Sequence, residues 1–343
     1  MRFTLLLLMI FSCASSYAQK RPQISLFDKL YGLDSLKVTL TFPFDSLTKT
    51  NTEAIDATIS IESESGFLLK NEPVGLTLRG KYRRLKCSFP PLLLNFKKST
   101  LKKLELGNDD EIKLVTHCLE GPEGQSNLQE ERMIYQVYEA ITPFSYKTIW
   151  LNVDYLDEGH PGVSISSAGF LLEPDPVINS RLGIMEKKVY NVVEDSIDYN
   201  SYAKVAAFNF MIGNRDWSVV ASRNAKLFYD SVQGKYIVIP YDFDYSNVVG
   251  ASYRRENLTK EMIHPYDRIY VGEYYKDKAG DILKSFYEFR QKITDAVDSS
   301  PNPMESQRRK EINKYFYFWF EMVKHHKPSL MPYGTICPYK GGL

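Results

Sequence analysis

The sequence predicts an α+β chain of two lobes, an antiparallel β-rich one followed by a mainly helical one. Residues 36–43 and 54–62 alternate apolar and polar side chains, as half-buried antiparallel strands do. Later in the chain the apolar residues recur at helical spacing, as in Ile282, Phe286, Phe289 and Ile293, and again in Ile312, Tyr315, Phe316, Trp319, Phe320 and Val323. Between the two regimes the apolar run Ala168-Gly-Phe-Leu-Leu-Glu173 is stopped by Pro174-Asp-Pro176, a fitting crossover. The lobes are therefore drawn at residues 19–173 and 174–343, behind a leader over residues 1–18.

That leader has a positive start at Arg2, an apolar stretch from Leu5 to Phe11, and small residues at Ser16 and Ala18, the pattern of a signal peptide. The mature chain is expected in the periplasm, at the cell surface or outside the cell. Its leader is too short to span a bilayer, so no transmembrane span is expected in the mature chain. A lipidated Cys13 is the competing reading. The 343 residues, 43% of them apolar, suffice for a large core. A net charge of +1 without a basic block argues against a nucleic-acid partner. Export leaves Cys87, Cys118 and Cys337, whose spacing fits no zinc site. Cys87 and Cys118 both lie in the strand-rich half and are the expected disulfide, while Cys337 sits in a Pro/Gly tail. His325 and His326 are adjacent rather than four apart, so they make poor joint metal ligands on a helix.

In chain order, Val74 to Arg79 and Leu92 to Phe96 continue the sheet. Between them, Arg79-Gly-Lys-Tyr-Arg-Arg-Leu-Lys86 carries five cations in eight residues. It reads either as a solvated turn or as a phosphate-facing loop in which Gly80 lets the backbone approach; the Walker A spacing is absent. The next strand, Glu111 to Cys118, sets Lys113 among apolar neighbours, where it needs an anion. Asn127 with Glu130 three residues on resembles a capping box, and Ile134, Val137, Tyr138 and Ile141 form the apolar stripe of the helix that follows. Glu131 leans towards that stripe. Lys113 and Glu131 are thus opposite charges predicted to face inward, as a structural ion pair or as part of a ligand site. Residues 147–155 and 168–173 read as strands joined by a turn at Asp154 to Pro161. A loop around Arg181-Leu-Gly183 precedes a helix from about Tyr199, which carries Ala206, Phe208, Phe210, Met211 and Ile212 and stops at Gly213. The aromatic stripes of the later helices read as core.

Two stretches carry the chemistry. In Gly213-Asn-Arg-Asp-Trp-Ser-Val-Val-Ala-Ser-Arg-Asn224, Asp216 falls in a loop and Asn224 opens a strand that runs to Tyr229. In Tyr236-Ile-Val-Ile-Pro-Tyr-Asp-Phe-Asp-Tyr-Ser246, a buried strand ends in Asp242 and Asp244. Alternation puts those two carboxylates on the same side, which suits joint coordination of a hard divalent cation. The bland reading is a pair of loop-end acids held by backbone N–H groups or an Arg. A loop Asp, a later Asn and an Asp-Phe at a strand end recur in this order in protein kinases as catalytic base, metal ligand and principal metal ligand.

Together, Leu78-Arg-Gly-Lys-Tyr-Arg-Arg-Leu-Lys-Cys-Ser-Phe-Pro-Pro-Leu92, Ile112-Lys-Leu-Val-Thr-His-Cys118, the Glu131 helix, Gly169-Phe-Leu-Leu-Glu173, Gly213-Asn-Arg-Asp-Trp-Ser218 and Pro240-Tyr-Asp-Phe-Asp-Tyr-Ser246 resemble the CotH-like (spore coat protein H-like) kinase family, in its exported bacterial branch. The resemblance covers roughly residues 70–255. It implies a divergent bilobal protein-kinase-like fold and phosphoryl transfer from ATP, with Mg²⁺ or Mn²⁺, to a Ser or Thr hydroxyl of a protein substrate. By the same resemblance Asp216 is the catalytic base, and Lys113 pairs with Glu131 at the nucleotide phosphates. Phe170, Leu172 and Glu173 belong to the hinge strand beside adenine, while Asn224, Asp242 and Asp244 bind metal. The sequence departs from the kinase pattern in five places. Seven residues separate Asp216 from Asn224, where the kinase loop has four. Asn214-Arg-Asp216 stands for His-Arg-Asp at the base, Arg223 stands just before Asn224 where related sequences often carry His, Asp242-Phe-Asp stands for Asp-Phe-Gly, and a Gly-rich nucleotide loop is missing. Two other functions fit parts of the pattern: an inactive kinase-like binding module at the cell surface with the acids as a Ca²⁺ site, and a phosphatase of the haloacid dehalogenase type.

Overall fold

The computed structural model describes residues 24–325 and 336–337, apart from 34, 49–52, 81, 258–266 and 302. The leader over residues 1–18 and His326 lie outside the described residues. Seven strands form the N-terminal half: β1 (Lys37–Phe42), β2 (Ile55–Ser63), β3 (Gly66–Leu78), β4 (Leu92–Phe96), β5 (Glu111–Thr116), β6 (Thr148–Asp157) and β7 (Ser164–Leu172). They are joined in the order β1-β2-β3-β4-β5-β7-β6 into a closed barrel. This corrects the expected plain antiparallel sheet: β1 runs parallel to β6, with Val38 opposite Val153, and that pairing closes the sheet. Closure removes both free edges, whose unpaired backbone groups would otherwise face solvent or other chains.

The alternation read from the sequence fills the barrel. Val38, Leu40 and Phe42 of β1 point inward with Leu76, Leu94, Leu114 and Leu151, and the first helix, α1 (Leu26–Tyr31), adds Leu26, Phe27 and Leu30. β7 is apolar throughout its C-terminal half because it is buried on both faces. Leu171 joins the barrel interior, while Phe170 and Leu172 join a second core outside it. Two short helices, α2 (Arg83–Lys86) and α3 (Lys98–Lys103), interrupt the barrel connections. Cys87, just after α2, is disulfide-bonded to Cys118, just after β5.

The second core lies between the barrel and the helices. α4 (Gly121–Glu139) starts six residues before the expected cap at Asn127, because Pro122 in its first turn presets a helical φ. Asn127 is therefore inside the helix, and the Ser126 hydroxyl is what bonds Glu130, at 3.0 Å. Pro174-Asp-Pro176 likewise opens a helix, α5 (Asp175–Leu182), where a loop was expected; Gly183 closes it in the left-handed conformation. α6 (Tyr199–Ile212) runs as predicted, from an Asp198 cap to a left-handed Gly213. A three-stranded sheet follows in the order β10-β9-β8, made of β8 (Met185–Lys187), β9 (Ala225–Asp230) and β10 (Lys235–Pro240). The long helix expected over residues 282–293 is two, α7 (Ala279–Phe286) and α8 (Arg290–Ser299), separated by a 3-10 turn at Tyr287–Phe289. The last helix is α9 (Ser306–His325), and the backbone at Ile336–Cys337 pairs with Arg268–Ile269. Trp319 of α9 and Phe208 and Phe210 of α6 pack at the centre of this second core. Among the described residues, no helix is long and apolar enough to cross a membrane.

Candidate active site

The two carboxylates at the end of β10 are aimed by the aromatic ring between them. Phe243 is fully buried against Tyr135 and Phe208, with ring centres 4.8 and 5.8 Å away. Asp242 adopts a left-handed φ of 62°, a conformation uncommon for a residue with a side chain. Its N–H donates to the Tyr135 hydroxyl at 2.7 Å, which pins the turn to α4. In this arrangement the carboxyl oxygens of Asp242, Asp244 and Glu131 lie within 4.8 Å of one another.

A guanidinium sits among them. Arg83 of α2 donates from Nη2 to Glu131 at 2.8 Å and from Nε to Asp244 at 2.9 Å, and lies 3.3 Å from Asp242. Tyr253 donates its hydroxyl to the same Asp244 oxygen at 2.9 Å. Three carboxylates face the buried Arg83 guanidinium, with Arg79 in electrostatic reach of Asp242, so ionising all of them still leaves negative charge in excess. Burial, opposed by Arg83 and reinforced by Asp244 and Asp242, pushes the Glu131 carboxyl up to about 8. Burial and the neighbouring Asp244 also raise Asp242, whose side chain keeps 42% of its surface exposed. Arg83 itself is held charged well above its usual range, because Asp244, Glu131 and Asp242 outweigh its own desolvation.

The expected Lys113–Glu131 pair is not formed. In the β5–β7 register Lys113 stands opposite Leu172, beside the turn into α5, so its acid is Asp175, at 4.0 Å. Glu131 is taken by Arg83 instead. Sequence reading left Arg83 inside a basic loop; the available signal was that buried acids require a partner, and the nearest dense source of guanidinium groups was that loop.

Asp216 and Asn224, by contrast, meet. The seven residues between them fold back on themselves, with Ser218 and Arg223 exchanging two backbone hydrogen bonds of 2.8 Å, so the longer spacing does not part the ends. Asn224 Nδ2 donates to the Asp216 carboxylate at 2.9 Å and to its carbonyl at 2.6 Å, and Arg223 lies 3.2 Å from Asp216 Oδ1. The Asn224 carbonyl accepts from Tyr241 N at 3.0 Å, which ties this loop to the residue before Asp242. Glu273, which the sequence did not single out, braces the loop from outside. Its carboxylate accepts from the Ser218 hydroxyl and from the N–H groups of Val219 and Val220 at 2.8 and 3.0 Å. Burial raises the Asp216 carboxyl, Arg223 opposes that shift, and Asp244 adds to it, which places the loop acid within electrostatic reach of the β10 acids.

Of the hinge residues, Phe170, Leu172 and Glu173 are all buried. Phe170 meets Tyr135 edge-on at 5.8 Å. Both Glu173 oxygens are engaged, by Arg181 at 2.8 Å and by Lys147 N at 3.0 Å. None of the three lines either of two nearby clefts. A cleft of about 310 Å³ is lined by Glu186, Lys188, Tyr190, Ser222, Lys226 and Tyr241, and a second of about 180 Å³ by Lys113, Asp175 and Asp109 to Glu111.

The chain matches no protein-family model and no curated protein sequence. Among solved structures it is similar to the Helicobacter pylori proinflammatory kinase CtkA, with 8% identity and a TM-score of 0.32, over 82% of this chain and 93% of that one.

Oxygen-only donors bearing excess negative charge fit a hard divalent cation such as Mg²⁺ or Mn²⁺. Asp242 and Asp244 offer the carboxylates, and Asn224 is tied to that end of β10 by the hydrogen bond from Tyr241 N to its carbonyl.

Proposed function

We propose that the chain is an exported, CotH-like atypical kinase that transfers a phosphoryl group from ATP to a Ser or Thr hydroxyl of a protein. The observation that carries this reading is the meeting of two independent elements at one rim: the loop that pairs Asp216 with Asn224, and the β10 end that presents Asp242 and Asp244. In this reading Asp216 accepts the proton of the acceptor hydroxyl as that oxygen bonds to the γ-phosphorus and the bond to the β-phosphate oxygen breaks. Asp242, Asp244 and Asn224 would hold Mg²⁺ or Mn²⁺, which when bound neutralises charge on the phosphates. Arg223 and Asn224 orient the Asp216 carboxylate. The leader over residues 1–18 supports export to the periplasm or cell surface.

Arg83 favours a second reading. A guanidinium already bonded to Glu131 and Asp244 supplies the charge that a metal would bring, as in a catalytically inactive kinase-like binding module at the cell surface. Incubation with ATP and Mn²⁺ followed by intact-mass analysis separates the two. The kinase reading expects phosphate on the protein or on an added protein acceptor, and its loss in Asp216→Asn. Wild-type protein that transfers no phosphate to any Ser or Thr leaves the binding module.

A further inference from the structure

Asn209 sits fully buried in the last turn of α6, where Phe208, Phe210, Met211 and Ile212 all belong to the second core. An amide in such a place is costly unless both its ends are bonded, and Asn is a weak helix former. Here both ends are used: Nδ2 donates to Val205 O at 2.9 Å, and Oδ1 accepts from Asn214 Nδ2 at 2.9 Å. Asn214, also buried, passes the chain on, its Oδ1 accepting from Asp216 N at 3.0 Å. The relay ends on backbone groups of fixed polarity, since Val205 O can only accept and Asp216 N only donate. The orientation of both amides between them follows. The left-handed Gly213 turns the chain so that Asn214 faces back to the helix, where its own N–H donates to Asn209 O at 2.8 Å.

On its other side Asp216 is held by Asn224, whose Nδ2 donates to the Asp216 carbonyl at 2.6 Å and to the carboxylate at 2.9 Å. The peptide planes before and after the Asp216 Cα are therefore each fixed by a side-chain amide. Only the rotations of the side chain itself remain, and the bond from Asn224 restricts those too. Asn224 and Arg223 close the same loop that Asp216 opens, whereas Asn209 belongs to the packed helix. An apolar side chain at position 209 would fill this core with no polar group to satisfy; what the asparagine adds is a fixed place for Asp216.

We propose that Asn214, anchored by Asn209, is a positioning residue that sets where the Asp216 carboxylate stands relative to the acceptor hydroxyl. What Asp216 does there rests on the phosphotransfer reading; the placement does not. A reacting group displaced by about 1 Å can lose about a hundredfold in rate. Asn214 is buried behind the loop and acts through Asp216, so its loss falls on the chemical step and leaves nucleotide affinity alone.

The test pairs residue-resolved hydrogen exchange with phosphotransfer kinetics in wild type, Asn214→Ala and Asn209→Ala. The Asp216 amide should exchange slowly in wild type and at least tenfold faster in Asn214→Ala. The same variant should lower kcat about a hundredfold with the KM for ATP unchanged. Asn209→Ala removes the anchor and leaves Asn214 in place, so it should show the same pattern to a smaller degree, and the test stands even where Asn214→Ala fails to fold. An Asp216 amide that exchanges alike in wild type and the variants, or a kinetic loss that falls on KM alone, would overturn the positioning role. A wild type that transfers no phosphate yet protects Asp216 through Asn214 would remove the phosphotransfer reading and leave the placement standing.

Discussion

Replacing Arg83 with Leu removes the guanidinium bonded to Glu131 and Asp244 and leaves three carboxylates within 4.8 Å. The Arg83 side chain is 8% exposed, and those of Glu131 and Asp244 are each 4% exposed, so solvent replaces little of what is lost. Breaking a buried ion pair from one side costs about 3–5 kcal/mol. For a chain of this size that lowers the melting temperature by roughly 5–10 °C. The loss depends on pH. Glu131 titrates near 8 in the folded chain, above its ordinary value of 4.5, so the folded form keeps a proton that the unfolded form has released. The stability linked to that proton is fully present below about pH 4.5 and is lost as pH rises through 8. Without Arg83 the carboxyl rises further, so both proteins lose this stability in parallel up to about pH 8, and the gap between wild type and Arg83→Leu should widen above it, where only the variant still holds the proton. Mn²⁺ should close part of it, because a cation at a hundredfold excess over its dissociation constant adds about 2.7 kcal/mol. Melting curves by circular dichroism at about pH 7 and about pH 10, with and without Mn²⁺, read all of this. An Arg83→Leu protein as stable as wild type at about pH 7, or a gap that does not widen above about pH 8, would contradict the buried Arg83 network.

Four other outcomes follow from the geometry. The double variant Cys87→Ser/Cys118→Ser opens a loop with a sequence separation of 31 and should lose about 3–4 kcal/mol in urea unfolding. Glu273→Ala orphans the N–H groups of Val219 and Val220 and should cost about 1–3 kcal/mol; it should lower phosphotransfer more than nucleotide affinity, since Glu273 braces only the Asp216 loop. Gly213→Ala would place a methyl 2.5 Å from the Asn247 side chain at a φ of 69°, so a melting temperature equal to wild type would contradict the left-handed cap. Lys113 should titrate near 8, its folded value being depressed; the linked stability is present above about 10.5 and lost as pH falls through 8. NMR of the methylated lysines would show one resonance moving well before the others, and a Lys113 that moves with them would contradict its placement.

Residues that declare themselves by local chemistry were legible in the sequence. Gly213 ends α6 where only a left-handed residue fits, and the alternation of β1 and β2 marks the barrel wall. Asp242 and Asp244 share a face because Phe243 must be buried. What was not legible depends on partners distant in the chain. The parallel β1–β6 pairing joins strands about a hundred residues apart, and no local pattern encodes it. Lys113 and Glu131 each face inward as read, but an inward face does not say which opposite charge waits there; register gave Lys113 to Asp175 and α2 gave Arg83 to Glu131. Asn127 lost its expected role because Pro122 begins the helix earlier, a case of two start signals in one stretch where the stronger backbone constraint wins.

In the proposed kinase, Asp242 and Asp244, beside Asp216 and Asn224, hold metal and nucleotide. The most direct test is a thermal shift of the mature protein with ATP plus Mg²⁺ or Mn²⁺, run beside Asp242→Asn. The midpoint should rise by roughly a few degrees only when both nucleotide and metal are present, and the rise should vanish in the variant. No rise with any nucleotide, together with a rise from Ca²⁺ alone, would contradict that assignment.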